Sequence, residues 1–268
     1  MSEQETPAGV RVEVVGAVAT VTLDRPAAMN SMTTQTKVAL LAALGSVAAD
    51  DAVRCVVLTG TGRAFSVGQD LREHAEVLGS GDLSSLWSTV PAHYNPISTL
   101  LATMPKPVVA AVNGVAAGAG ASFTMAADLR VVGASAGFAL AFTGIGLSAD
   151  SGATWYLPRL IGNGRAMDLL LRPRTVSAQE ALAIGLASEV VPDDQLAART
   201  AEVAAALAAG PTLAYAAVRR AVAFSASNDL AESLAHESDA MTTTGSTRDH
   251  ADAVRAFLAK EKPVFHAR

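Results

Sequence analysis

The sequence predicts an α/β fold in which a core of alternating strands and helices is followed by an all-helical tail. From Val53 onward, short apolar runs alternate with segments of helical periodicity, and the connections between them are short. After Val191 the chain shows four helical segments and no evident strand. Half of its 268 residues are apolar, which is enough for a sizeable core. We therefore divide the chain into a core, residues 1–200, and a helical region, residues 201–268.

The first half of the chain begins with a predicted β-hairpin. Residues 10–23 alternate between the two faces of a strand around Gly16, and the helix that follows, 31–49, has Ser31 or Thr33 as N-cap candidates. Short apolar runs bounded by glycine or proline predict buried strands, and helical spacing predicts the helices. These elements are a strand at 53–58, a helix at 71–78, a helix at 84–104 interrupted near Pro91 and Pro96, and a strand at 108–112.

The second half continues the alternation and then becomes helical. The predicted elements are a helix at 119–127, a strand at 129–132, a glycine-rich loop, a helix beginning near Ser151, and four helices at 194–209, 211–224, 229–243 and 248–260. The run 107–127 is apolar enough to resemble a membrane span, but Pro107 and Asn113 interrupt it. We interpret it as a buried strand, loop and helix, and we expect no membrane association.

Composition excludes several classes of function. The net charge of −5 gives no electrostatic footprint for nucleic acid. Cys55 is the only cysteine, so no intramolecular disulfide can form, and residues 1–10 do not resemble a signal peptide. A cytoplasmic location follows as an expectation. The five histidines are scattered, which argues against a metal site. Charged residues are 17% of the chain, below the roughly 25% of an average domain, which favours an oligomer.

Two loops between predicted strands and helices can present backbone N–H groups. The first, residues 113–120, is rich in glycine and alanine and leads into a helix whose N-terminus favours negative charge. The second, residues 65–70, could direct the Gln69 N–H into a pocket. Each loop can equally be structural, as a tight strand-to-helix turn in the first case and as a helix capped by Asp70 in the second.

Asp150, in a short DSG turn, is the candidate for proton transfer. Its ordinary role would be to cap the helix that follows. The segment Gly60–Phe65 begins like a dinucleotide fingerprint, but Phe65 occupies the place of the third glycine. No G-x-S-x-G elbow is present, which argues against a serine hydrolase.

Several motifs occur together in the order known from one family. They are LDRP at 23–26, AFSVGQDL at 64–71, KPV at 106–108, AVNG at 111–114, GAG at 118–120 and AFLAK at 256–260. Through these motifs the chain resembles members of the crotonase (enoyl-CoA hydratase/isomerase) superfamily. The segments HYNP at 93–96 and GLSADSGATWYLPRL at 146–160 are closest to its epoxyphenylacetyl-CoA isomerase and enoyl-CoA isomerase branch. The resemblance implies a spiral of ββα turns with C-terminal trimerising helices, in a homotrimer or dimer of trimers.

The resemblance also implies a substrate and a mechanism. Members bind acyl-CoA thioesters in an oxyanion hole of two backbone N–H groups, which fall here at Gln69 and Ala119. Hydratases of the family use two glutamates, and the matching positions are Ser122 and Phe142. Asp150 remains as a single acid/base, and apolar surroundings would raise its pKa. We expect an isomerase that moves a double bond or opens and expands a ring epoxide. The alternatives are an enoyl-CoA hydratase and a non-catalytic acyl-CoA-binding homologue.

The remaining site residues are also expectations from the resemblance. CoA is carried as the substrate thioester, and no other cofactor is implied. Ser122, Phe142, Tyr94 and Asn95 would line the acyl pocket, while the acyl group itself stays open. For Arg25 and Lys260 a solvated surface charge is an equal alternative. The residues expected to bind CoA, the last two from a neighbouring subunit, are Arg25, Ala28, Phe65, Ser66, Val67, Phe257 and Lys260.

Overall fold

The computed structural model describes residues 8–81 and 83–268, which form two β-sheets surrounded by helices. Most of the segment that we compared with a signal peptide, residues 1–7, lies outside the described residues. The strands are β1 Val10–Val15, β2 Val18–Leu23, β3 Cys55–Gly60, β4 Ala64–Ser66, β5 Val108–Val112, β6 Val115–Ala117, β7 Leu129–Gly133, β8 Gly137–Ala139, β9 Thr175–Ser177 and β10 Glu189–Val191.

The α-helices surround these strands and make up the C-terminal part of the chain. They are α1 Thr34–Ala49, α2 Leu71–Ser80, α3 Leu83–Thr89, α4 Asn95–Thr103, α5 Ala119–Ala126, α6 Ala153–Ile161, α7 Asn163–Leu171, α8 Ala178–Ile184, α9 Leu196–Ala208, α10 Thr212–Ser225, α11 Leu230–Gly245 and α12 Arg248–Ala259.

The strand order describes a spiral. The first sheet has the order β1-β2-β3-β5-β7-β10 and is parallel except for the β1–β2 hairpin. The second has the order β4-β6-β8-β9, with β9 antiparallel to β8. Three times, the chain passes from a strand of the first sheet to a strand of the second and then to a helix. These passages confirm the predicted ββα spiral, and they bring the ends of β4 and β6 together.

The central strands of the first sheet, β3, β5 and β7, are buried on both faces. Along β3, Val56 and Leu58 belong to the large core, whereas Cys55 and Val57 face the opposite side. This alternation is the two-residue period of a strand. On the opposite side, Leu196 and other apolar residues of α9 cover the sheet. The helical part of the chain therefore begins with a helix that packs on the sheet.

Most long elements lie where the sequence predicts them. Thr33 is the N-cap of α1, since its Oγ1 accepts the Thr36 N–H at 3.2 Å. The interruption near Pro91 and Pro96 is a π-helical turn, Val90–Tyr94, between α3 and α4. The second sheet is missing from the sequence prediction, because each of its strands has only three residues and shows no recognisable periodicity.

The helices give no sign of a membrane span. Within the residues that the structure describes, no helix taken alone combines the length and the hydropathy that crossing a membrane requires. One pair, Asp193–Ala208 with Thr212–Ser225, meets both criteria only when taken together, and it is bent by 98° at its break.

Candidate active site

The two glycine-containing loops meet at their backbones. Gly68 has φ +84°, and a Cβ added there would lie 3.0 Å from Ala117 O and 3.2 Å from Ala119 N. On its other side the Gly68 carbonyl accepts the Met32 N–H at 2.7 Å. Only a glycine adopts this conformation readily and leaves room for so close an approach. The loop at 65–70 is therefore held directly against the N-terminus of α5.

The same contact brings the backbone N–H groups of Gln69 and Ala119 together. Ala119 is the first residue of α5 and so has no acceptor within its helix, while Gly118 before it adopts φ 53° and ψ −126°. Neither N–H has a hydrogen-bond acceptor among residues 8–81 and 83–268. The two groups predicted to form an oxyanion hole therefore lie on neighbouring backbone segments, and neither is bonded to another described residue.

β4 is packed tightly beneath these donors. A Cβ on Gly120 would overlap the Ser66 carbonyl oxygen and lie 2.8 Å from Ser66 Cβ. Ser66 Oγ donates to Asn30 O at 2.7 Å and accepts the Gly68 N–H at 3.2 Å. Phe65 and Ser66 are fully buried, main chain included, so neither residue exposes surface to a bound CoA in this structure.

Asp150 lies in a strained turn and does not cap α6. Ser151 and Gly152 have φ values of +54° and +84°, and the helix begins at Ala153 with Gly152 as an N-cap that offers no side chain. The Asp150 backbone oxygen accepts the Ala153 N–H at 3.0 Å, while its carboxylate accepts no helix N–H. The capping interpretation of Asp150 is therefore wrong. A positive φ at a buried serine is the kind of strain that occurs at functional sites.

The surroundings of Asp150 make its carboxylate a stronger base. Burial raises the pKa of this half-buried group, against the opposing effects of the Ser151 hydroxyl, 2.8 Å from Oδ1, and of the Lys37 charge. The direction of this shift is as predicted and suits a group that takes up and returns a proton.

Ser122 lies beside this turn and Phe142 lies in the loop that leads to it, and neither adds an acid or a base. Ser122 is fully buried, and its hydroxyl is 3.2 Å from Gly118 O and 3.4 Å from Asp150 O. Phe142 is buried and its backbone oxygen accepts the Leu147 N–H at 3.1 Å, which folds the loop that leads to Asp150. Asp150 therefore has no second carboxylate at either of these positions.

A polar cluster beside Gln69 escaped the sequence analysis. Gln69 Oε1 accepts hydrogen bonds from Tyr94 OH at 2.6 Å and from Lys37 Nζ at 3.1 Å. Tyr94 is almost fully buried, and burial raises its pKa, so its hydroxyl stays protonated. Asn95, by contrast, is exposed at the start of α4. A clue was present in the sequence, because Lys37 precedes Leu40, Leu44 and Val47 at helical spacing and so occupies the buried stripe of α1.

A cavity of about 690 Å³ adjoins the Gln69 loop and collects several residues expected to bind CoA. Arg25 lies in its wall, where its guanidinium contacts Asp70 Oδ2 at 3.1 Å and Ser31 O at 2.5 Å, so it is not a free surface charge. Arg25, Ala28, Arg63, Val67, Gln69 and Arg72 are among the lining residues.

Phe257 and Lys260 are not part of this cavity within one chain. Both are exposed at the end of α12, which packs against α11. β3 is followed by β4 rather than by a helix, so the partial fingerprint at Gly60 does not form a dinucleotide-binding turn. No group of three or more metal-binding side chains occurs in the described ranges.

Comparison with known proteins identifies close relatives. The family model described as "Enoyl-CoA hydratase/isomerase" matches residues 13–268. The 1,2-epoxyphenylacetyl-CoA isomerase of Escherichia coli K12 is 40% identical over 248 residues, covering 92% of this chain and 94% of its own. A "Probable enoyl-CoA hydratase" of Rhodobacter capsulatus is 40% identical over 259 residues, with 97% and 98% covered. The crystal structure of an enoyl-CoA hydratase from Bacillus anthracis is 30% identical, covers 97% of this chain and 100% of its own, and has a TM-score of 0.92.

Proposed function

The chain belongs to the enoyl-CoA hydratase/isomerase family, and we propose that it is an acyl-CoA isomerase that works through a thioester enolate. The choice of an isomerase rests on the surroundings of Asp150. Asp150 is a half-buried carboxylate of raised pKa, and a serine and a phenylalanine occupy the positions where hydratases of the family have glutamates. Addition of water needs one group to activate the water and another to protonate the α-carbon. Isomerisation needs one group that removes a proton from one carbon and returns it to another.

The backbone donors supply the stabilisation that a carboxylate base requires. A proton alpha to a thioester is too weak an acid for a free carboxylate, so the enolate oxygen must be stabilised. The N–H groups of Gln69 and Ala119 have no acceptor among the described residues and are proposed to bind that oxygen. Each donor is worth about 3 kcal/mol, so the pair contributes about 6 kcal/mol, on the order of 10⁴-fold in rate. Asp150 then acts as general base and, once protonated, as general acid.

The cavity beside Gln69 is proposed to hold CoA, which enters as part of the substrate. Arg25, Ala28 and Val67 line it. Phe65 and Ser66, which are fully buried, would support the CoA site from behind its wall, and Phe257 and Lys260 would come from a neighbouring subunit. Ser122, Phe142, Tyr94 and Asn95 are retained as the proposed surroundings of the acyl group.

Assembly into a homotrimer or a dimer of trimers would place α12 of one subunit near the cavity of another. The described chain exposes 13432 Å², whereas a monomer of 27.3 kDa is expected to expose roughly 11,000 Å². Part of the excess is apolar and lies on the C-terminal helices, where Val222, Leu230, Met241, Phe257 and Leu258 are all more than half exposed. Such surface favours association.

An isotope experiment tests the proposed reaction. The protein is incubated with 3-enoyl-CoA and 2-enoyl-CoA esters in D2O, and NMR identifies the carbons that acquire deuterium. We expect migration of the double bond with label at the α- and γ-carbons, and loss of both in Asp150→Asn with CoA-ester binding retained. Asp168→Asn, which changes a half-exposed carboxylate of α7 that pairs with Arg172, serves as the control and should react normally.

The alternatives give different results in the same experiment. Incorporation of solvent oxygen into crotonyl-CoA without migration of the double bond would identify a hydratase. The absence of exchange at the α-carbon in the unmodified protein would identify a non-catalytic acyl-CoA-binding homologue. Near-native turnover in Asp150→Asn would remove Asp150 from the mechanism.

A further inference from the structure

Lys37 is a buried lysine in contact with the proposed oxyanion hole. Its side chain is 1% exposed, and its Nζ donates to Gln69 Oε1 at 3.1 Å and to Thr89 Oγ1 at 2.6 Å. The ammonium group also lies 5.1 Å from the centre of the Tyr94 ring. A lysine is almost never fully buried without charged or hydrogen-bonding partners, so its position in the core of α1 requires an explanation.

Two hydrogen bonds immobilise the side chain of Gln69. Lys37 Nζ and Tyr94 OH both donate to the same amide oxygen of Gln69, and together they fix the direction of the side chain. The Gln69 backbone N–H, by contrast, has no acceptor in the described part of the chain. A donor that must reach a developing oxyanion works best when its neighbours prevent it from turning away.

Charged groups on several elements face Lys37. Glu73 on α2 lies 4.0 Å from Nζ, and Asp70 and Asp150 act on it from the loops before α2 and α6. Burial lowers the pKa of the Lys37 amine. The three carboxylates oppose this shift, because they favour the charged form of the amine. His93 contacts Thr89 Oγ1 at 3.1 Å, and burial, together with the Lys37 charge, lowers the pKa of this histidine. The interaction with Asp150 is reciprocal, because the Lys37 charge stabilises the Asp150 carboxylate.

We propose that Lys37 is a positioning residue that locks Gln69 in the conformation required for the oxyanion hole and provides positive charge on the side of the Asp150 carboxylate. This inference rests on the proposed function. Lys37 acts through Gln69 and through its electric field, and it does not touch the reacting carbons. Tyr94 donates to the same Gln69 Oε1, and the pair of donors, Lys37 and Tyr94, is called the clamp below.

A purely structural role for Lys37 is the competing explanation, and the chain offers a matched control for it. Lys106 is also a buried lysine, and its Nζ donates to Val47 O at 2.9 Å and Asp50 O at 2.7 Å at the C-terminal end of α1. It lies away from Gln69 and Asp150 and has no place in the proposed site. Lys37→Met removes a buried amine that belongs to α1, and Lys106→Met removes a buried amine that contacts the end of α1.

The test combines a spectroscopic readout with kinetics. A conjugated thioester such as 4-hydroxycinnamoyl-CoA absorbs at longer wavelength when its carbonyl is polarised, so the red shift on binding reports the strength of the oxyanion hole. We expect Lys37→Met to lose at least half of the red shift and to lower kcat for a 3-enoyl-CoA at least 30-fold, with KM changed less than threefold. Lys37→Arg should restore part of both, and Lys106→Met should keep both even if its melting temperature falls.

The pH profile adds a readout that a structural role would not move. Since the Lys37 charge lowers the pKa of Asp150, its removal should shift the acid limb of kcat/KM to higher pH in Lys37→Met but not in Lys106→Met. If Lys37→Met does not fold, Tyr94→Phe removes the other donor to Gln69 Oε1 and should reduce the red shift by itself.

The outcomes separate this inference from the function on which it rests. A Lys37→Met protein with native red shift, kcat and pH profile would overturn the role of Lys37, while an inactive Asp150→Asn protein would leave the isomerase intact. If the unmodified protein neither isomerises nor exchanges α-protons, the proposed function fails. In that case a red shift that still depends on Lys37 would support the clamp, and a red shift that is independent of Lys37 would overturn it.

Discussion

The buried hydroxyl of Ser122 connects the first turn of α5 to the backbone of Asp150. Its Oγ lies 3.2 Å from Gly118 O and 3.4 Å from Asp150 O, on either side of a fully buried side chain. Gly118 precedes the proposed donor Ala119, so one small residue links a proposed oxyanion donor to the proposed base. A glutamate at this position, as in hydratases, would have to occupy the space of that link.

Replacement of Ser122 by alanine should weaken this link. Gly118 O and Asp150 O share the single proton of this hydroxyl, so its loss removes about one hydrogen bond and should lower the free energy of unfolding by about 1 kcal/mol. We also expect a several-fold decrease in kcat with little change in KM. Thermal denaturation and initial rates on a 3-enoyl-CoA measure both effects. Thr103→Ala, which removes an exposed hydroxyl on α4, is the control and should change neither. An unchanged kcat in Ser122→Ala would show that the link does not set the geometry of the reaction.

Removal of the Ser151 hydroxyl should shift the pH dependence of activity. This hydroxyl donates to Asp150 Oδ1 at 2.8 Å and lowers the pKa of the carboxyl, partly offsetting the effect of burial. In Ser151→Ala the pKa rises further, so the acid limb of kcat/KM, which reports the deprotonated base, moves to higher pH.

Ser151→Gly should shift that limb equally while folding more stably than Ser151→Ala. Residue 151 has φ +54°, a conformation that glycine adopts without strain and alanine does not. Different acid limbs in the two variants, measured over the same pH range, would contradict the assignment of the shift to the hydroxyl.

Asp150→Asn should be more thermostable than the unmodified protein at neutral pH. Burial raises the pKa of Asp150 in the folded state above its value of about 3.9 in unfolded chains. The protonated form therefore stabilises the folded state below that value, and this contribution is lost as pH rises through the folded pKa. Calorimetry should show a gain in melting temperature at pH 7 that is smaller at pH 3.5. A variant less stable than the parent at pH 7 would refute the sign of the shift.

Glycines 120 and 164 should respond in opposite ways to alanine. At Gly120 a Cβ would overlap the Ser66 carbonyl oxygen, so the backbone must move. We expect Gly120→Ala to lower the free energy of unfolding by about 1–3 kcal/mol and to lower kcat strongly. A Cβ on Gly164, inside α7, meets nothing within 4 Å. Gly164→Ala should therefore be neutral or stabilise by up to about 1 kcal/mol, with native activity. Equal kinetics in the two variants would argue against a functional role for the packing beneath Ala119.

Lys260 should contribute to CoA binding only within an assembly. Isothermal titration with a CoA ester should show a several-fold higher Kd in Lys260→Ala than in Lys262→Ala, its near neighbour and control. Light scattering on the same samples gives the mass of the assembly. A monomer that binds CoA esters with an affinity independent of Lys260 would remove both the shared site and the contribution of α12.

The elements with strong local patterns were predictable from the sequence. The hairpin around Gly16, the buried runs of β3 and β5 and the helix capped by Thr33 all follow from periodicity and capping chemistry over a few residues. The short strands of the second sheet have no such pattern. They form because neighbouring passages of the spiral supply pairing partners, as Val115 does for Ala64.

What the sequence determined by itself was the family, the α/β class and the chemical types available for a site, because motifs and periodicity are local. What only the tertiary structure decided was which of those groups meet. Gln69 and Ala119 are distant in the chain and become adjacent through the pairing of β4 with β6 and the absence of a side chain at Gly68. Asp150 is freed from capping by the left-handed turn after it, and Lys37 reaches Gln69 because α1 packs its buried stripe toward the loop. Such contacts depend on the register and close packing of distant segments, which no local pattern records.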